Sequence, residues 1–160
     1  MDEFMSRCDT DRSHRIHSLF AGLFIMQNRL LNAASRSEGD ISVKQWLLLG
    51  LMEQAPEQRT LTDLGRLLGC SRQNIKKLAL GLEKKDYVRL VPGPGNALSV
   101  VPTGKVSEYK SSVRDERIRS LKLVFEDFSD AEVEELFRLC HKLDSGISRL
   151  EQESQDGTLE

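Results

Sequence analysis

The sequence predicts a mainly α-helical chain with one small β-hairpin, and three observations carry that prediction. Apolar residues recur at helical spacing through most of the 160 residues. The period drops to two only around residues 87–101, on either side of a Pro-Gly-Pro-Gly-Asn turn. Just ahead of that hairpin, residues 61–86 read as two short helices joined by a tight turn. A helix-turn-helix followed directly by a hairpin makes a winged helix-turn-helix, and the long amphipathic stretches flanking it read as dimerisation helices.

In chain order, residues 1–10 are a polar lead-in. A first helix follows over about 11–36, with Ile16, Leu19, Phe20, Leu23, Phe24, Leu30 and Leu31 on one side, and the segment 35–40 with Gly39 ends it. Ser42 with Gln45 is a capping box for a second helix, which buries Trp46, Leu47, Leu49 and Leu51 until Pro56 stops the pattern. Thr60 and Leu61 suit a short strand. Thr62 is placed to cap the next helix, whose inner face is Leu64, Leu67 and Leu68, and Gly69 terminates it in a left-handed conformation. Ser71 then caps a helix that buries Ile75, Leu78, Ala79 and Leu82. Strands are expected at 87–91 and 97–101.

Thr103 opens a further helix with Val106, Tyr109, Val113, Leu121, Val124 and Phe125 inward, broken at Asp127 and Phe128. Ser129 with Glu132 forms a second capping box. The stripe Val133, Leu136, Phe137, Cys140, Leu143, Ile147 and Leu150 is close to a heptad, with Cys140 in its core. The expected organisation is an N-terminal dimerisation helix at 1–40, the winged domain at 41–104, C-terminal dimerisation helices at 105–152 and a disordered tail at 153–160. The terminal helices carry more apolar surface than a small winged domain covers, so a two-fold dimer is expected.

The net charge is −2, yet residues 59–89 hold eight cations against three anions, which leaves the remainder at −7. A basic patch on an acidic body is the footprint of a polyanion-binding module. With its apolar face inward, the helix after Ser71 turns Arg72, Gln73, Lys76 and Lys77 outward. Arginine and glutamine make bidentate hydrogen bonds to guanine and adenine edges, and lysines neutralise phosphates. A merely solvated helix face is the alternative, but the turn chemistry and the polar identities agree on DNA.

Other classes find less support. Three cysteines have neither metal-ligand spacing nor an even count for disulfides, so reduced thiols in a cytoplasm are expected. No signal peptide or membrane-length apolar run is read. The Gly-Pro-Gly turn lacks the lysine and following helix of a phosphate loop. His14, His17 and His141 are scattered, and no cofactor, metal site or catalytic constellation is read, so an enzyme is not expected.

The segment LTDLGRLLGCSRQNIKKLALGLEKKDYV, followed by ALSVVPTGK, resembles the MarR family of bacterial transcriptional regulators, and the order of elements is similar over about residues 11–150. The resemblance implies an obligate dimer on a pseudo-palindromic double-stranded DNA operator, with Ser71, Arg72, Gln73, Asn74, Lys76 and Lys77 in DNA-facing positions. It also implies release by a small aromatic ligand or an oxidant. Two departures stand out. Asp86 occupies a position where the family commonly has glycine, and the wing tip, Pro92 to Asn96, has no cation where the family usually inserts an arginine into the minor groove. Asn96 is left as the tip's hydrogen-bonding residue. The cation-free tip supports an alternative reading, an interaction protein that has lost operator binding and captures another regulator.

A family-type ligand pocket between the dimerisation helices and the winged domain includes His17, Phe20 and Trp46, which core packing explains equally. Cys8, near the first helix, and Cys70, beside the Ser71 cap, are redox candidates; an inert thiol and a small packing residue are their plain readings.

Overall fold

The computed structural model describes residues 11–34, 40–54, 59–93, 95, 97–155 and 157. Cys8, Gly39, Pro56 and Asn96, on which expectations were placed, lie outside them. The chain divides into two compact units, Met1–Tyr109 and Lys110–Glu160.

The first unit opens with α1 (Arg12–Ala34). Asp11 caps it, its Oδ1 accepting from the His14 amide at 3.0 Å. Ser18 and Gly22 are its buried positions, while Leu19, Phe20, Phe24 and Leu30 are exposed in the single chain. Helix α2 (Val43–Gln54) starts at the expected capping box: Gln45 Oε1 accepts from the Ser42 amide at 2.9 Å, and Ser42 Oγ accepts from the Gln45 amide at 3.3 Å. Its buried face is Leu48, Leu49 and Met52, not Leu47 and Leu51. In an almost wholly apolar run the period is weak, and the neighbours decide which side goes inward.

Strand β1 (Arg59–Thr60) precedes α3 (Leu61–Leu68). The cap of α3 is Thr60, not Thr62. Thr60 Oγ1 accepts from the Asp63 amide at 3.2 Å while Asp63 Oδ2 accepts from the Thr60 amide at 3.3 Å, a complete capping box. Moving the start back two residues puts Leu61, Leu64 and Gly65 inside and leaves Leu67 exposed, contrary to the expected face. Helix α4 (Arg72–Glu83) leads to β2 (Val88–Pro92) and β3 (Leu98–Pro102). The antiparallel sheet has the order β1-β3-β2, with Leu90 opposite Val100 and Thr60 opposite Ser99. The core joins Leu48, Leu49, Leu61, Leu64, Ile75, Leu82, Val88 and Val100, with Val106 from the first turn of α5 (Lys105–Val124). Thr103 does not cap α5; its hydroxyl donates to the Asp86 carbonyl at 2.5 Å.

In the second unit, the rest of α5 and α6 (Asp130–Gln155) are connected through the expected Ser129–Glu132 capping box, with Glu132 Oε2 accepting from the Ser129 amide at 2.9 Å and Ser129 Oγ from the Glu132 amide at 3.4 Å. Glu153 and Ser154 continue α6, so these two are helical where a disordered tail was expected to begin. The stripe from Val133 to Leu150 is exposed in the single chain, Cys140 included, so within one chain that thiol is not part of a core.

Candidate nucleic-acid interface

The interface is built from the turn between α3 and α4. Gly69 takes φ 60°, and two hydrogen bonds close the α3 terminus: the Cys70 amide to the Gly65 carbonyl at 2.9 Å, and the Gly69 amide to the Arg66 carbonyl at 3.4 Å. This is a Schellman arrangement, which a glycine accommodates without a Cβ clash. Ser71 then caps α4, its Oγ accepting from the Asn74 amide at 3.3 Å. The chain reverses so tightly that a Cβ on Gly65 would stand 2.7 Å from the Cys70 carbonyl oxygen.

Along α4, Ile75, Ala79 and Leu82 are buried. Ser71, Arg72, Gln73, Asn74, Lys76 and Lys77 are all exposed, so the structure brings these candidate residues together on the outer side and N-terminal end of one helix. At about 100° per residue, Gln73, Lys77, Leu80 and Lys84 project within about 60° of one another, opposite the buried face. A shallow open depression of about 400 Å³ runs along this ridge, lined by Gln73, Lys76, Lys77, Leu80, Gly81 and Lys84. The sequence reading missed its second half; counting seven and eleven residues on from Gln73 finds it. Gln45 Nε2 reaches the Leu78 carbonyl at 3.5 Å and ties α2 to the far side of α4.

One cation of the basic tally is engaged elsewhere. Lys85 Nζ lies 3.3 Å from Asp40 Oδ1 and also donates to the Asp40 carbonyl, while the Tyr87 hydroxyl donates to Asp40 Oδ2 at 3.1 Å. The Lys85 and Tyr87 hydrogen bonds hold the Asp40 carboxyl below its ordinary range. Burial, reinforced by the Asp40 hydrogen bond, pushes the Tyr87 phenol up to about 12. Lys105 Nζ donates to the Lys85 carbonyl at 2.8 Å and sits 4.7 Å from the Tyr87 ring centroid, a cation–π placement. This cluster links the start of α2, the end of α4 and the start of α5.

The junction of α4 and β2 repeats the Schellman geometry. The Tyr87 amide bonds to the Leu82 carbonyl at 3.0 Å, the Asp86 amide to the Glu83 carbonyl at 2.9 Å, and Asp86 holds φ 60°. Aspartate thus takes the left-handed turn without glycine's freedom, as short polar side chains do more readily than others. Because the Tyr87 amide closes the helix end, β2 starts at Val88, one residue later than expected, and β3 at Leu98 keeps the register. Glu83 Oε1 accepts from the Leu90 amide at 2.7 Å, covering the outer edge of β2. The described tip residues, Gly93 and Gly95, carry no charge, and Gly93 closes the hairpin through its amide to the Ala97 carbonyl at 2.6 Å.

The other candidates stand in different settings. His17 is exposed on α1 with Nδ1 2.8 Å from the Ser13 carbonyl, and Phe20 is exposed with its ring against Phe24. Trp46 packs partly buried on the winged-domain core. Cys70 is half-buried against the same core. Among the described residues no group of three or more histidine, cysteine or acidic side chains is placed to hold a metal. Nor is any described helix long and apolar enough to cross a membrane.

Residues 39–97 match the sequence model of the MarR family. No curated protein matches the chain by sequence. Solved structures do match in fold. A MarR/EmrR-family transcriptional regulator from Acinetobacter sp. ADP1 superposes with TM-score 0.74 at 20% identity, covering 83% of this chain and 96% of that one. The PcaV regulator of Streptomyces coelicolor, solved with its natural ligand, gives 0.63 at 17% identity over 85% and 93%. An organohalide-sensing regulator in its 2,4-dichlorophenol-bound form gives 0.68 at 14% identity over 81% and 79%. The family model thus matches the turn, α4 and the first wing strand, and over four-fifths of its length the chain has the winged helix-turn-helix fold of solved MarR-family structures.

Proposed function

We propose that this chain is a homodimeric, cytoplasmic transcriptional repressor that reads a pseudo-palindromic DNA operator through α4. The observation that carries the reading is the outer side of α4, where Gln73, Lys76 and Lys77 are exposed away from the buried Ile75, Ala79 and Leu82, with Arg72 exposed at its capped N-terminal end. Arg72 and Gln73 contact base edges; Lys76 and Lys77 contact phosphates, and Ser71 and Asn74 hold the helix end against the backbone. The segments 1–40 and 105–152 form the dimer, which sets the two reading helices about one DNA turn apart. The exposed apolar residues of α1 and α6 support that arrangement. A small aromatic effector releases the DNA by favouring a different separation. Two of the similar structures hold small molecules, one of them a chlorophenol.

The uncharged wing tip favours a second reading, a protein that keeps the fold and binds another regulator instead. Selection of double-stranded DNA from a random library, followed by anisotropy titration of the winning sequence and a scrambled control, separates the two. Preferential, salt-dependent binding at two protomers per site is the expected result. Equal or absent binding to both DNAs removes the repressor reading.

A further inference from the structure

On the assumption that α4 reads DNA as proposed above, we infer that Leu80 is a specificity determinant that recognises the C5-methyl group of a thymine in each half-site. Leu80 sits directly in line with Gln73 two helical turns earlier and points away from Ile75, Ala79 and Leu82, which are buried. An amphipathic helix has no packing reason to carry leucine on this line, and the side chain is 41% exposed. Its neighbours in the depression are Gln73, Lys76, Lys77, Gly81 and Lys84, an apolar spot inside a basic rim.

That pattern fits the floor of a major groove. Phosphates flank the groove on both sides and meet the lysines, and the thymine methyl is the apolar feature among the hydrogen-bonding groups of the base edges. A helix of about 10–12 Å diameter fills a groove about 12 Å wide, so the line opposite the core penetrates deepest. A protein partner fits less well, because a docking surface centred on one leucine ringed by lysines places those charges at its core, where interfaces are depleted of them.

The test uses the full chain and the operator obtained by selection. Each thymine is replaced in turn by deoxyuridine, which deletes the methyl group and keeps every hydrogen-bonding group. With the wild-type protein, one position per half-site is expected to lose about fourfold in affinity, the value of one buried methyl expressed as a ratio. The Leu80→Ala protein, checked for an unchanged melting temperature, is expected to bind thymine and deoxyuridine equally there. Lys84→Ala, which keeps Leu80, should retain the discrimination while weakening all sequences alike. Equal deoxyuridine effects in wild type and Leu80→Ala, or none in either, overturn the assignment while leaving DNA binding by α4 intact. A selection that yields no preferred DNA overturns both, and is recognised at that first step.

Discussion

A methyl group at position 65 would meet the Cys70 carbonyl oxygen at 2.7 Å, and that oxygen belongs to backbone already fixed by two hydrogen bonds. Gly65→Ala is therefore expected to cost about 1–3 kcal/mol despite alanine's better helix propensity, read as a lowered urea midpoint. Tyr87 gives a spectroscopic prediction. Its folded pKa of about 12 stands above the ordinary 10.0, so its contribution to stability is complete below 10.0 and is lost as pH rises towards 12. Alkaline titration followed by phenolate absorbance should show a late-ionising tyrosine that Tyr87→Phe removes. The outward Gln73, Lys76 and Lys77 were legible in the sequence because four apolar residues fix the opposite face, and Arg72 because Ser71 marks the helix start. The engagement of Lys85 by Asp40 was not, because 45 residues separate partners that only the tertiary fold brings together.

Caps and turns decided the elements. Ser42–Gln45, Ser71 and Ser129–Glu132 were readable because each hydrogen bond spans three residues of sequence. The α3 start was displaced from Thr62 to Thr60 because two threonines compete there and only Thr60 has an acid, Asp63, at the reciprocal position. Face assignments failed where apolar residues crowd, as in α2. The wing starts one residue later than the alternation predicts because Asp86 takes φ 60° and the Tyr87 amide closes the helix end. Glu83 couples α4 to the wing, its carboxylate covering the Leu90 amide. Glu83→Ala is expected to accelerate hydrogen exchange at Leu90 by about tenfold, the equivalent of one net hydrogen bond to a charged acceptor, with α4 amides little changed. Equal acceleration throughout α4 and β2 would assign Glu83 to global stability instead.

At the scale of the molecule, exposed apolar residues on α1 and α6 define what one chain leaves unfinished. Phe137 is 66% exposed and Phe20 61%, far from the behaviour of core aromatics. If the proposed dimer covers them, Phe137→Asp should shift the sedimentation mass from two chains towards one and weaken operator binding in parallel. An unchanged mass would place the dimer interface elsewhere. Amphipathic length and heptad spacing made this surplus legible in the sequence; a ligand site was not, since His17, Phe20 and Trp46 stand in unlike settings.

The most direct test of the central claim, that the exposed side and N-terminal end of α4 read DNA, is fluorescence anisotropy against salt. Wild type, Arg72→Ala and Lys76→Ala are titrated on the selected operator and its scrambled control. Lys76→Ala is expected to weaken both DNAs alike and to lower the salt slope by about 1 for each phosphate no longer neutralised, while Arg72→Ala narrows the gap between them by about 1–3 kcal/mol. Unchanged affinity, slope and preference in both variants would contradict it and move the DNA-reading surface away from α4.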